Sequence, residues 1–84
     1  MELSIEYCGT CNYRPIAASL AMTIEKALGI KAVLIHSNEM GALEVKANGK
    51  LVFSKKDSRR FPNHAEVVEI LSLMRDRETL KLRK

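Results

Sequence analysis

Asn48-Gly49 separates two strand-like runs, Leu43-Glu44-Val45-Lys46-Ala47 and Lys50-Leu51-Val52-Phe53-Ser54. No other local feature restricts the fold as tightly. Asn and Gly both tolerate positive φ, and a two-residue type I′ turn needs positive φ at both central positions. The pair therefore predicts a β-hairpin. With a regular two-residue loop, Ala47 faces Lys50 and Val45 faces Val52. Glu44 and Phe53, and Lys46 and Leu51, then share the opposite side.

Residues 2–7 alternate strictly, with Leu3, Ile5 and Tyr7 on one side and Glu2, Ser4 and Glu6 on the other. That is a strand with one buried face. Cys8-Gly9-Thr10 makes the turn that follows, and Thr10 is a candidate helix cap. A helix then runs to about Leu28, with Ile16, Leu20, Ile24 and Ala27/Leu28 at helical spacing and Gly29 as its stop. Pro15 lies inside that stretch. Its missing N–H and crowding ring predict a kink or a loosened turn. Residues 31–36 form a second strand, parallel to the first by a right-handed crossover. After the hairpin comes a charged loop, residues 55–60. A last helix follows, opened by an Asn63/Glu66 capping box and a Pro62/Val67 staple. Val67, Ile70, Leu71 and Met74 form its buried stripe.

The order is β-α-β-β-β-α. It predicts an α/β, thioredoxin-like fold with a four-stranded mixed sheet and both helices on one face. Two helices cover only one side of a sheet. The open side is expected to carry a modest apolar patch around Leu51 and Phe53. Residues 1–77 read as one domain and 78–84 as a basic, frayed tail.

Charge and composition narrow the function. The chain has 84 residues and a net charge of +4, with clusters at Lys55, Lys56, Arg59 and Arg60 and near the C-terminus. Such a surface can attract acidic partners, nucleic acid or an anionic thiol such as glutathione. There is no interleaved aromatic–basic platform of the single-strand-binding kind, so nucleic acid is a weak reading. The longest uncharged run, 15–24, is too short for a membrane span. The first residues lack the pattern of a secretory signal, so a cytoplasmic protein, reduced at rest, is expected.

Chemistry rests on Cys8 and Cys11, the two cysteines of the chain. A Cys-x-x-Cys bridge closes too short a loop to serve as a staple. A thiol near a helix N-terminus has a favoured thiolate, and a second thiol three residues on can close a disulfide with it. By thioredoxin logic Cys8 is the exposed attacker and Cys11 the buried resolver. Two inert core thiols are the bland alternative. Tyr13, Arg14 and Pro15 are auxiliary candidates: Tyr13 to line the site, Arg14 to add positive charge or simply face solvent. His36 reads as a structural histidine and His64 as exposed and incidental. A zinc site from Cys8, Cys11, His36 and His64 lacks the close histidine pair of a finger. Haem attachment fails because Asn12, not His, follows Cys11. No metal and no cofactor are expected.

The stretch Ile5-Glu6-Tyr7-Cys8-Gly9-Thr10-Cys11-Asn12-Tyr13-Arg14-Pro15 resembles the opening of the SelT/SelW/SelH (Rdx) family. Gly41-Ala42-Leu43-Glu44-Val45, Gly49-Lys50-Leu51-Val52-Phe53-Ser54-Lys55-Lys56 and Arg60-Phe61-Pro62 resemble its later blocks. Together they cover residues 3–74 and point to cysteine-containing prokaryotic homologues of selenoprotein W. The resemblance implies a thioredoxin-like fold, a redox-active dithiol and a link to glutathione. In selenoprotein members selenocysteine stands where Cys11 stands here, which implies Cys11 as the attacker; for disulfide exchange the expectation stays with Cys8, and attack on peroxide is left open. Sulfur in that place implies weaker peroxide chemistry. The region that matches the cis-proline strip of thioredoxins, Met40-Gly41-Ala42, has no proline.

Two functions follow as expectations. One is a small thiol–disulfide oxidoreductase coupled to glutathione or another low-molecular thiol. The other is a non-catalytic redox-sensing adaptor that binds a partner protein through the open sheet face or the basic loop.

Overall fold

The computed structural model describes residues 2–82, with side chains described for residues 2–77. Its elements are β1 (Leu3–Cys8), α1 (Arg14–Leu28), β2 (Ala32–Ser37), β3 (Leu43–Ala47), β4 (Lys50–Ser54), α2 (Lys55–Ser58) and α3 (His64–Leu82). The sheet order is β2-β1-β3-β4. β1 runs parallel to β2 and antiparallel to β3, and β3 is antiparallel to β4. The fold is α/β with a mixed four-stranded sheet, as the element order predicted.

The alternation in β1 sends Leu3, Ile5 and Tyr7 to the covered side. There they meet Leu43, Val45 and Ala47 of β3, Ala17, Leu20 and Ile24 of α1, and Val67 and Leu71 of α3. Full burial of each large aliphatic side chain contributes roughly 1.5–3 kcal/mol, so this cluster carries most of the favourable energy of a chain this small. α1 ends at Gly29, left-handed at φ 70°, whose N–H bonds the Glu25 carbonyl. Asn48 (φ 53°) and Gly49 (φ 80°) make the predicted hairpin turn. The turn is also tied to the start of β1: Asn48 N–H donates to the Glu2 carbonyl at 2.7 Å, and Glu2 N–H to Asn48 Oδ1 at 2.8 Å.

Several expectations are corrected. First, the hairpin is not regular. Ala47 faces Lys50 and Lys46 faces Leu51, but a bulge then sets Val45 opposite Phe53 and Glu44 opposite Ser54. Phe53 is therefore 7% exposed and in the core, with Val52 packed partly buried beside it. A regular register leaves Phe53 on the open face. The regular register covers Val52 instead; burying the larger Phe53 while Val52 stays partly buried removes more apolar area from water, which outweighs about 1 kcal/mol for one lost ladder bond.

The expected Leu51/Phe53 patch does not form as a result. The open face carries Val33 and Ile35 at one edge and Leu51 at the other, with the Glu6–Lys46 ion pair (3.3 Å) between them. Second, Pro15 does not kink the helix. It occupies the first turn of α1, where amides have no intrahelical acceptor, so its missing N–H costs nothing. Thr10 does not cap this helix: the N-cap is Tyr13, with no side-chain cap bond.

Third, part of the charged loop is a single helical turn, α2. Ser54 caps it by accepting from the Asp57 N–H, and Arg59 closes it in the left-handed region at φ 58°. Fourth, α3 continues to Leu82, past the Arg77 at which the tail was expected to begin. The added residues are good helix formers with no Gly or Pro. Lys84 and Arg83 lie outside the described residues.

Candidate functional site

Cys8 is the last residue of β1, and Cys11 lies in the turn before α1. The two sulfurs are joined as a disulfide, with Cα atoms 5.4 Å apart. Neither cysteine belongs to the first helical turn, so the donors that reach the sulfurs come from elsewhere. The Thr10 hydroxyl lies 3.3 Å from Cys8 Sγ. The Gly41 N–H donates to Cys11 Sγ at 3.3 Å. Gly41 is left-handed at φ 78°, a backbone state that glycine adopts without penalty, and this turn aims its amide at the sulfur.

The sheet holds Cys8 in place. Its N–H donates to the Ala42 carbonyl at 2.8 Å, extending the β1–β3 ladder by one residue. Cys8 is only 1% exposed, whereas Cys11 is partly open. That order is the reverse of the thioredoxin pattern. Assigning attack to Cys8 required it to be the accessible sulfur, and the end of a central strand is the most covered place in the loop.

Tyr13 is half-buried and meets Phe61 edge-on, with ring centroids 5.2 Å apart. The Lys55 ammonium sits over both rings, 5.6 Å from Tyr13 and 5.0 Å from Phe61. Tyr13 stands at the N-cap of α1, two residues past Cys11. Arg14 and Pro15 are exposed at the start of α1. On the other side of Cys11, Met40 precedes Gly41 and is 78% exposed. Glu39 in the same loop pairs with Lys56 of α2, which ties the 39–41 turn to the segment carrying Lys55.

Three contributors were not legible as site residues. His36 makes packing contacts. It is exposed, meets the Tyr7 ring edge-on at 5.9 Å, and lies directly against Gly9. Gly41 reaches Cys11 from a distant segment, and Phe61 meets Tyr13 from another. His64 is not incidental: its Nδ1 lies 3.1 Å from Thr23 Oγ1, joining α3 to α1. It is thereby separated from the cysteines, and among the described residues no group of three or more His, Cys, Asp or Glu is placed to hold a metal. Among them, too, no helix is long and apolar enough to cross a membrane.

A strand-end cysteine bridged to a second cysteine in the adjoining turn suits reversible thiol chemistry. Comparison with known proteins points the same way. The Rdx family model matches residues 2–73. This chain belongs to the Rdx family. Migration and invasion enhancer 1 of Bos taurus is 26% identical over 81 residues, 96% of this chain and 70% of that protein. The Mus musculus protein of the same name is 27% identical over 71 residues, 84% of this chain and 62% of that one. The chain thus spans about two thirds of the length of these relatives. Among solved structures, the selenoprotein W-related protein from Vibrio cholerae has a TM-score of 0.79 at 23% identity, covering 87% of this chain and 94% of that one. A protein from Bordetella parapertussis has a TM-score of 0.80 at 19% identity, covering 84% and 92%. At these identities the likeness is one of fold. Family and bridged cysteines together support a redox-type function.

Proposed function

We propose that this protein is a small thiol–disulfide oxidoreductase that exchanges with glutathione or another low-molecular thiol in a reducing, cytoplasmic compartment. The observation that carries the reading is the asymmetry of the bridged pair: one cysteine partly open with its sulfur beside a backbone N–H, the other sealed at a strand end.

In the reduced protein, Cys11 is the attacking thiolate. The Gly41 N–H stabilises its negative charge, because a hydrogen bond donated to the charged form favours that form. Cys11 attacks a disulfide sulfur of the substrate and expels one substrate thiolate. Cys8, held within bonding reach by the Ala42 carbonyl contact, then attacks Cys11 Sγ. The mixed disulfide breaks, the second substrate thiolate leaves, and Cys8–Cys11 closes. A low-molecular thiol reverses the sequence by attacking the open sulfur, Cys11, first.

Trapping tests the assignment. Reduced Cys8→Ser and Cys11→Ser proteins are mixed with oxidised glutathione and analysed by mass spectrometry. Cys8→Ser should accumulate a lasting glutathione adduct on Cys11, and Cys11→Ser should react far more slowly. Equal adducts on both variants, or none on either, would contradict it. A non-catalytic redox-sensing adaptor is the second reading, favoured by the exposed Met40 beside the amide that touches Cys11. Partner binding that follows redox state without turnover would select it.

A further inference from the structure

The rim around Cys11 has a chemistry of its own that exchange with a small thiol does not require. Starting from the sulfur, the Gly41 amide leads to exposed Met40 and then to Glu39. Glu39 pairs with Lys56 of α2, and the adjacent Lys55 lies over Tyr13 and Phe61. Tyr13 follows Cys11 by two residues in the chain, so this series of contacts begins and ends on the motif. Phe61 is 44% exposed although it is a large aromatic side chain.

Methionine and aromatic side chains left in solvent next to a reactive centre are the residue types that anchor partners. The charge of the rim is one-sided. Residues 55–60 hold four cations, Lys55, Lys56, Arg59 and Arg60, against one carboxylate, Asp57. Glu39 and Glu66 answer Lys56 and Arg60. Among the described residues no carboxylate pairs with Lys55 or Arg59. Lys55 is held over its two rings, so it is already oriented and has little rotamer freedom left to lose when an anion arrives.

We propose that this rim is the docking surface for a protein substrate segment that places acidic residues and an apolar side chain beside its disulfide. Met40 and Phe61 receive the apolar group, and Lys55 and Arg59 receive the carboxylates. The inference rests on the thiol–disulfide reading and adds to it the class of substrate. The reaction balances as a two-electron exchange. Cys11 thiolate attacks one sulfur of the segment's disulfide, Cys8 thiolate then displaces the mixed disulfide, and the segment leaves as two thiolates that take up two protons. The protein's pair is oxidised and the segment's disulfide is reduced.

The test uses pre-reduced full-length protein and two short synthetic peptides closed by the same disulfide, one flanked by Asp, Glu and Leu and the other by Lys, Ser and Leu. Oxidised glutathione is run alongside, and single-turnover rates are measured by quench with alkylating agent. The acidic peptide should react about tenfold faster or more at low salt, with the advantage shrinking toward molar salt as screening removes it. Phe61→Ser, and Lys55→Gln with Arg59→Gln, should bring the two peptide rates together. Circular dichroism of each variant confirms that it is folded. Equal peptide rates in the unaltered protein, or a faster basic peptide, overturn this inference and leave thiol exchange standing. No reaction with either peptide or with oxidised glutathione overturns the underlying reading as well.

Discussion

A Cβ added to Gly9 would lie 1.8 Å from His36 Nε2 and 2.1 Å from Cδ2. Gly9 is not among the residues with positive φ, so its requirement is space rather than backbone freedom. Gly41 is the opposite case, with nothing within 4 Å of an added Cβ but φ at 78°. The obstacle at Gly9 is the far end of an exposed side chain, which can swing into solvent. Gly9→Ala is therefore expected to cost at most about 1 kcal/mol, well under a core truncation. In NMR spectra the His36 ring protons should lose the shift they feel from the Tyr7 ring. Unfolding of Gly9→Ala would mean that the ring is locked in place. At this scale the cysteines were legible because both lie in one short motif. His36, Gly41 and Phe61 were not, because each reaches the site across a strand pairing or a loop packing that no local pattern encodes.

The elements themselves were largely written in alternation and turn chemistry: β1, the Asn-Gly hairpin and the stop at Gly29 all stand where their residues place them. The bulge was not legible. Its cause is a competition between Val52 and Phe53 for the covered side, which depends on the room left by α1 and α3. The two registers make different predictions for neighbouring residues. Phe53→Ala should lower stability by about 3 kcal/mol or more. Leu51→Ala should stay within about 0.5 kcal/mol. Thermal or denaturant unfolding of the pair decides it, and a Phe53→Ala loss as small as that of Leu51→Ala would restore the regular hairpin, which leaves both side chains on the open face.

The α2 turn had a readable signal, since Ser54 followed three residues later by Asp57 is a helix-start pattern. Just beyond it, Arg60 grips Glu66 of α3 at 2.7 and 2.9 Å. The Arg60 hydrogen bond is the main cause that holds the Glu66 carboxyl below its ordinary range. A carboxyl lowered in the folded state adds stability above its unfolded pKa and loses it as pH falls through the folded value. The melting-temperature gap between the unaltered protein and Arg60→Gln should therefore narrow as the solution is acidified through the carboxylate range. A gap that widens there would mean that another group controls it.

As a whole, the molecule is a sheet covered on one side, with its chemistry at one end. The element order made that architecture legible, because strand, helix, strand followed by a hairpin and a helix leaves few ways to bury the apolar faces. What the order could not convey is which sulfur ends up covered. That depends on β3 running antiparallel beside β1, so that Ala42 closes over Cys8 while Gly41 opens toward Cys11. The same arrangement puts the 39–41 turn beside Cys11, with α2 tied to that turn through the Lys56–Glu39 pair. The central claim is that Cys8 and Cys11 form one reversible two-electron couple. Equilibrating the protein across a series of glutathione redox buffers, quenching with an alkylating agent and weighing the products tests it directly. The account predicts a single reversible transition between a doubly alkylated dithiol and an unalkylated internal disulfide, with the slope of a two-electron exchange. Two cysteines that stay alkylatable at every buffer ratio, or that collect glutathione without ever closing on each other, would contradict it.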